Sequence, residues 1–147
     1  MIVYFDTSAL VKRYIQETGS REVKTLFEAE AAILGSVVIT RVEMAAALQK
    51  AVRLEAANAA LLAEIWQDFL DQWSTFTRIH VSDVMVERAS RISFDCQLRG
   101  YDSLHLAAAQ LWQESLNLPV VLATFDRDLW LAGRQAGMDV WPEGLVG

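Results

Sequence analysis

The stretch IVYFDTSAL, residues 2–10, decides how the rest of the sequence is interpreted. Its first four residues are apolar and favour a short buried strand, and apolar residues then recur at helical spacing from Leu10 to Ile15. Gly19 marks the end of that helical segment. The carboxylate of Asp6 therefore lies directly after a predicted strand and before a predicted helix.

The rest of the chain alternates between short apolar strands and helices in the same way. Ser20 and Ser82 are expected to cap helices, and Gly100 is expected to end one. The order β-α-α-β-α-α-β-α-α-β-α-β predicts an α/β fold whose sheet is mostly parallel. The predicted strands are 2–5, 36–40, 77–81, 119–124 and 138–141, and the predicted helices include 20–32, 41–54 and 126–135.

Length and composition fit a single soluble domain spanning residues 1–147. With 53% hydrophobic and 22% charged residues, the chain can bury one core and is too apolar for a disordered protein. No apolar run approaches the roughly 20 residues that cross a membrane. The start of the sequence has neither a basic leader nor a small-residue cleavage site, which predicts a cytoplasmic protein.

Two groups of apolar residues recur on helix faces. The single cysteine, Cys96, cannot form an internal disulfide and is in phase with Met85 and Ala89, which predicts a buried thiol. The segment 61–73 carries an apolar and aromatic stripe through three helical turns. This stripe indicates either core packing or the docking of a second subunit or a partner helix.

Four acidic residues are placed where the active site of such a fold is expected. Asp6 and Asp126 come just after the first and fourth predicted strands. Glu43 comes three residues after the second, and Asp102 begins a helix behind Gly100. Because parallel strands end at the same edge of a sheet, these acids from distant segments are expected to meet there.

Carboxylates packed this closely would repel one another, so the cluster is expected to bind one or two divalent cations. Only two histidines, His80 and His105, and one cysteine are present, which disfavours zinc and leaves hard oxygen ligands for Mg²⁺ or Mn²⁺. Two such ions would also offset much of the net charge of −6, which otherwise disfavours contact with nucleic acid. Both histidines are expected to be structural, with His105 packed within its helix.

Each acid also has a structural alternative. Asp6 and Asp102 could cap helices, since aspartate is favoured at that position. Glu43 could interact favourably with a helix dipole, and Asp126 could belong to a turn.

The segments around these acids resemble the motifs of the PIN-domain family, and the likeness runs through nearly the whole chain. DTSAL at 6–10 is similar to the first motif, TRVE at 40–43 to the second and YDSLHLA at 101–107 to the third. LATFDRDL at 122–129, continued by AGM at 136–138, resembles the closing strand, its acid and the final strand.

The resemblance implies a three-layer α/β/α sandwich with a central sheet of four to five strands, and an endonuclease that cleaves RNA, such as tRNA or rRNA, with Mg²⁺ or Mn²⁺. Short members of the family are commonly VapC toxins, which dimerise, are held inactive by a VapB antitoxin and form larger assemblies with it. The metal ligands implied are Asp6, Glu43, Asp102 and Asp126, with Asp128 as an additional candidate, Thr7, Ser8 and Thr124 as supporting residues, and Lys12, Arg13, Arg41, Arg99 and Arg127 as candidate RNA contacts.

Two other interpretations remain open. A phosphatase of the haloacid-dehalogenase type also begins with an aspartate after its first strand, but it requires a second aspartate where this chain has Ser8. A noncatalytic interaction module with the PIN fold is the second alternative. The five candidate cations near the acids could instead be ordinary solvated surface residues.

Overall fold

The computed structural model describes residues 1–145 and contains the predicted order of strands and helices. The domain prediction extends to residues 146–147, which lie outside the described residues. The strands are β1 (Ile2–Phe5), β2 (Ile33–Val37), β3 (Thr77–Ile79), β4 (Val121–Ala123) and β5 (Asp139–Trp141). The helices are α1 (Thr7–Leu10), α2 (Ser20–Phe27), α3 (Thr40–Arg53), α4 (Leu62–Trp73), α5 (Asp83–Cys96), α6 (Gly100–Leu116) and α7 (Arg127–Gln135), with single 3₁₀ turns at Val11–Arg13 and Ala59–Leu61.

The five strands form one parallel sheet in the order β3-β2-β1-β4-β5. The predicted α/β class and the parallel sheet are therefore confirmed. The first strand of the chain lies in the middle of the sheet, between β2 and β4. Asp6, which follows β1, consequently lies at the centre of the edge where the parallel strands end.

Helices cover both faces of the sheet, as the three-layer prediction requires. The side chains of β1 alternate between the two faces, with Tyr4 in one buried cluster and Val3 and Phe5 in the other. Helices α5, α6 and α7 contribute to the cluster around Tyr4, whereas α1 to α4 contribute to the cluster around Phe5. Within residues 1–145, none of these helices is both long and apolar enough to cross a membrane.

The second strand lies three residues earlier than predicted, at Ile33–Val37 instead of 36–40. Gly35 lies in its interior, where it pairs with Tyr4 of β1 and Thr77 of β3, and an added Cβ there would lie 2.6 Å from the indole ring of Trp112. The sequence pattern placed this glycine before the strand, whereas the structure places it inside the strand. The chain then leaves the sheet, and α3 begins at Thr40.

Helix α2 begins at Ser20 as predicted, but it ends at Phe27 instead of Ala32. The cap of α2 is Gly19, at φ +94°, while the Ser20 hydroxyl donates to the backbone carbonyl of Ile15. Gly100 begins α6 and does not end α5, which stops at Cys96 before the left-handed Gln97. The prediction for Ser82 is confirmed, since its hydroxyl accepts from the Met85 amide at the start of α5.

Cys96 is exposed, so the prediction of a buried thiol is wrong. Met85 and Ala89 on the same face are buried, but Cys96 is the last residue of α5 and the chain turns away after it. In the aromatic stripe of α4, Phe69 and Trp73 are buried in the core, which confirms core packing for that part of the stripe.

Candidate active site

Asp6 is the most deeply held of the four acids, with 4% of the residue exposed. Its Oδ2 atom accepts hydrogen bonds from the Ser8 hydroxyl at 2.6 Å and from the Thr124 hydroxyl at 2.7 Å. Asp6 occupies the cap position of α1, but its side chain makes no capping hydrogen bond. The helix-cap alternative therefore does not account for its carboxylate.

Glu43 lies in the first turn of α3 and is held through one oxygen. Its Oε1 atom accepts from the Thr7 hydroxyl at 2.9 Å and contacts His105 Nε2 at 2.6 Å. The same Nε2 atom lies 3.4 Å from Asp6 Oδ1, so the imidazole joins the two acids. The other ring nitrogen, Nδ1, lies 2.8 Å from the hydroxyl of Tyr4.

Asp102 and Asp126 lie on the more exposed side of the site. The Arg99 guanidinium lies 3.5 Å from a carboxylate oxygen of each acid, although its own side chain is 82% exposed. Asp126 caps α7, where Oδ1 accepts from the Leu129 amide at 3.0 Å, so it is a helix cap and not merely a turn residue. Asp102 is in the first turn of α6, but Arg99 occupies the cap position there, which removes the cap alternative for Asp102.

Thr124 connects the two sides. Its hydroxyl donates to Asp6 Oδ2, and the hydroxyl oxygen of Thr124 also accepts from the Asp126 amide at 3.0 Å. The Ser8 hydroxyl similarly accepts from the Phe125 amide at 2.9 Å while it donates to Asp6. The loop after β4 is thereby fixed against the residues that follow β1.

The pKa values of these groups reflect their unequal surroundings. Burial, together with the charges of Asp126 and Asp6, raises the pKa of Asp102 to about 6 from an ordinary 3.8. Burial alone would raise the pKa of Glu43, but the hydrogen bond and charge of His105 and the hydrogen bond from Thr7 lower it overall. Burial alone would lower the pKa of His105, but the charges of Asp6 and Glu43 raise it overall.

The donor set fits a divalent cation in its chemistry. Within residues 1–145, no three histidine, cysteine, aspartate or glutamate side chains lie close enough together to form a complete metal-binding group as they stand. The four acids nevertheless supply carboxylate oxygens, which are the ligands that Mg²⁺ and Mn²⁺ favour. Burial and, after it, the negative charges of Asp126 and Asp6 raise the pKa of Asp102 more than Arg99 lowers it, and a cation would offset this concentration of negative charge.

A cavity of about 880 Å³ borders the site. Glu43 and Asp102 line one part of it, and the largely exposed rings of Phe94 and Tyr101 line another. Two of the four acids, Glu43 and Asp102, are therefore open to a large molecule from outside.

The remaining predicted cations differ in their surroundings. Lys12 pairs with Glu17 at 3.1 Å and lies 4.7 Å from the centre of the Phe125 ring. Arg13 lies 5.8 Å from the ring centre of Phe27. Arg41 and Arg127 are exposed.

Asp128 is exposed and lines a separate cavity of about 280 Å³, together with Cys96 and Gln135. His80, the other histidine, is also exposed. Neither residue has a hydrogen bond to the four acids among the contacts of residues 1–145.

Tyr4 and His105 are the residues of the site that the sequence interpretation missed. His105 is buried, as expected for a packed helix residue, but both ring nitrogens contact polar groups of the site. One signal was available, because His105 follows Asp102 by three residues and therefore lies on the same face of a helix. Tyr4 gave no signal, since packing of its ring in an apolar strand is a sufficient reason for a tyrosine there and indicates no role for the hydroxyl.

Comparison with known proteins agrees with the fold. Residues 3–133 match the model of the PIN domain family. The chain is 32% identical over 144 residues to ribonuclease VapC45 of Mycobacterium tuberculosis (strain CDC 1551 / Oshkosh) and equally to ribonuclease VapC49 of the strain ATCC 25618 / H37Rv, covering 98% of this chain and 97% of each relative. It also resembles a chain in a toxin-antitoxin complex from Klebsiella pneumoniae, with a TM-score of 0.56 and 25% identity over 81% of this chain and 83% of that one. The chain belongs to the PIN domain family.

Proposed function

We propose that the protein is a metal-dependent endoribonuclease that hydrolyses RNA phosphodiester bonds and acts as the toxin of a toxin-antitoxin pair. The observation that carries the proposal is the placement of Asp6, Glu43, Asp102 and Asp126, from four distant segments, at one edge of the sheet. Relatives named as ribonucleases, similar over nearly their full length, support the choice of RNA as substrate.

The four carboxylates are the groups that would hold one or two Mg²⁺ or Mn²⁺ ions. A divalent cation supplies Lewis-acid chemistry at such a site, because it activates water as a nucleophile and neutralises charge on a phosphate. In the reaction proposed, water forms a new bond to phosphorus and the bond to the 3′ oxygen breaks, which leaves a 5′-phosphate and a 3′-hydroxyl. The protein contributes no covalent nucleophile.

The supporting residues orient the acids. Ser8 and Thr124 fix one oxygen of Asp6, and Thr7 fixes one oxygen of Glu43. The second oxygen of each acid accepts no hydrogen bond among the contacts of residues 1–145, although Asp6 Oδ1 lies 3.4 Å from His105 Nε2, and these second oxygens are the ones an external cation would meet. Holding ligands in this way before the cation arrives reduces the reorganisation that binding requires.

RNA would reach the acids through the adjoining cavity of about 880 Å³. The exposed Arg99 lies at its rim beside Asp102 and is the best-placed of the five candidate cations to meet a phosphate. Lys12 is less available because it already pairs with Glu17.

The cleavage experiment uses the purified chain with a mixed RNA substrate, with Mn²⁺ or with a chelator. Wild type should cleave only with the metal, and Asp6→Asn should lose more activity than the roughly 100-fold that loss of an outer hydrogen-bond partner costs. Asp139→Asn, an exposed acid on β5, is the matched control and should cleave like wild type. Cleavage that survives chelation, or full activity in Asp6→Asn, would contradict the proposal.

Calorimetry distinguishes the noncatalytic alternative. A silent PIN-fold module should give no Mn²⁺ binding heat that depends on Asp6, whereas the nuclease should lose that heat in Asp6→Asn. A wild-type protein that gave no such heat and cleaved no RNA would favour the interaction module.

As a toxin, the protein would form a homodimer and be held inactive by a VapB-like antitoxin in a larger assembly. The likeness to a chain of a toxin-antitoxin complex supports this partner. Co-expression with the product of a short neighbouring reading frame should yield a stable complex that no longer cleaves RNA. Failure of every neighbouring product to bind would contradict the toxin role and leave the nuclease activity intact.

A further inference from the structure

His105 makes the most unusual contacts of any side chain near the acids. Its ring is 1% exposed, yet it contacts Glu43 through Nε2 and Tyr4 through Nδ1. A buried polar group needs hydrogen-bond partners. Packing alone, however, would not require a chain of contacts that runs from Tyr4 through the imidazole to Glu43.

The hydrogen bonds around the Tyr4 hydroxyl have a defined direction. The backbone amide of Val37, in β2, can only donate, and it lies 3.4 Å from the Tyr4 oxygen. The Glu43 carboxylate can only accept, so in the neutral ring the proton lies on Nε2 and Nδ1 is an acceptor. The Tyr4 hydroxyl, which accepts from Val37, then donates its single proton to Nδ1 of His105, 2.8 Å away.

The consequence for Glu43 follows directly. When Nδ1 accepts from Tyr4, the proton of the neutral imidazole lies on Nε2, which donates to Glu43 Oε1 at 2.6 Å. The Thr7 hydroxyl donates to the same oxygen at 2.9 Å. Oε1 is thus held by two donors, and Oε2 has no hydrogen bond among the contacts of residues 1–145.

We propose that Tyr4 and His105 are positioning residues, which fix the protonated nitrogen of the imidazole and through it hold Glu43 by one oxygen, so that the other is presented to a divalent cation. This inference rests on the proposed function for the identity of the ligand. It gives a role in the site to Tyr4, a completely buried residue of β1. Tyr4 acts on Glu43 of α3 through His105 of α6.

The first experiment measures the protonated ring nitrogen by long-range ¹H–¹⁵N correlation spectroscopy of the histidines. It is made on the metal-free protein at about pH 9, well above the usual histidine pKa. His105 should carry its proton on Nε2, and Tyr4→Phe should increase the Nδ1-protonated form. A wild-type ring with its proton on Nδ1, or one still doubly protonated at this pH, would overturn the proposal.

The second experiment measures Mn²⁺ affinity by calorimetry. Tyr4→Phe and His105→Leu should each bind more weakly by about 10- to 100-fold, which is typical when a partner of a ligand is lost. His105→Gln, whose amide can still donate to Glu43, should recover part of that loss. His80→Gln, at the exposed histidine, is the control and should bind like wild type.

The two proposals fail in different ways. If wild type bound no Mn²⁺ and cleaved no RNA, the proposed function would fail, while the ring measurement would still decide the hydrogen-bond direction. If wild type bound Mn²⁺ and Tyr4→Phe and His105→Leu bound it equally well, the positioning role would be wrong and the metal site would stand.

Discussion

Asp6 and Glu43 on one side of the site differ from Asp102 and Asp126 on the other in how the protein holds them. Asp6 and Glu43, the held half, receive hydrogen bonds from hydroxyls or an imidazole that are themselves fixed by the fold. Asp102 and Asp126, the open half, share the exposed Arg99 at 3.5 Å, and only Asp126 of the two also accepts a hydrogen bond within residues 1–145 from a backbone amide, that of Leu129. The held half is organised before any ligand binds, whereas the open half carries charge that the protein leaves partly uncompensated.

The largest effect expected from breaking the held half is that of Thr124→Val, which keeps the shape of the residue and removes its hydroxyl. Asp6 Oδ2 would lose a donor and the Asp126 amide would lose its acceptor. Mn²⁺ affinity should fall by about 10- to 100-fold, and the free energy of unfolding by about 1–3 kcal/mol. Calorimetry and denaturant unfolding measure the two losses.

Thr25→Val is the matched control for that substitution. Its hydroxyl donates to the Arg21 carbonyl on the exposed surface of α2, so neither quantity should change appreciably. Equal metal affinity in Thr124→Val and wild type would mean that the held half is not prearranged by its hydroxyls.

Below about pH 6, the pH dependence of metal binding should come from the open half, because the raised pKa of His105 leaves that ring protonated throughout this range. The pKa of Asp102 is raised to about 6, so a cation must displace its proton below that pH, and Mn²⁺ affinity should fall about tenfold per pH unit. The pKa of Glu43 is lowered, so this acid stays charged and adds no step there. Calorimetry from about pH 5 to 8 brackets the Asp102 pKa of about 6. It should show this fall in Mn²⁺ affinity in wild type and not in Asp102→Asn.

A smaller effect is expected on the stability of the metal-free protein. Because the folded-state pKa of Asp102 lies above its ordinary value, the stability that Asp102 contributes is present at low pH and is lost as the pH rises from 3.8 to about 6. At neutral pH, Asp102→Asn should therefore stabilise the protein, by on the order of 1 kcal/mol after solvent screening. Thermal unfolding with chelator measures this gain; a destabilised variant would show that Asp102 is compensated after all.

The smallest effect expected is that of Arg99→Gln. This side chain is 82% exposed, so its ion pairs should contribute no more than about 1 kcal/mol to stability. If it meets a phosphate, the slope of RNA affinity against salt should fall by about 1. Arg88→Gln, whose charge already pairs with Glu114 at 2.6 Å, is the control and should leave that slope unchanged.

The sequence predicted the positions that depend on local pattern. The strand before Asp6, the order of elements and the four acids after strands or at helix starts all follow from short-range periodicity and from the geometry of parallel sheets. The boundary of β2 could not be obtained in this way, because Gly35 weakens a local strand pattern and lies in the strand only through its pairing with β1 and β3, beside Trp112, 77 positions later.

The same limit applies to the Tyr4–His105 pair. The two residues are 101 positions apart, and their contact depends on α6 lying against the face of the sheet to which Tyr4 points. A strand tyrosine and a helix histidine each have an ordinary role in a core, so neither identifies the other. Only the assembled fold relates them to Glu43.

Diffraction from crystals soaked in Mn²⁺, with the anomalous signal of the metal, tests the central claim most directly. We predict that Mn²⁺ is bound by carboxylate oxygens of Asp6, Glu43, Asp102 and Asp126, with Asp6 Oδ2 still accepting from Ser8 and Thr124. Mn²⁺ bound elsewhere, or none at these acids in crystals of a protein that cleaves RNA, would contradict it.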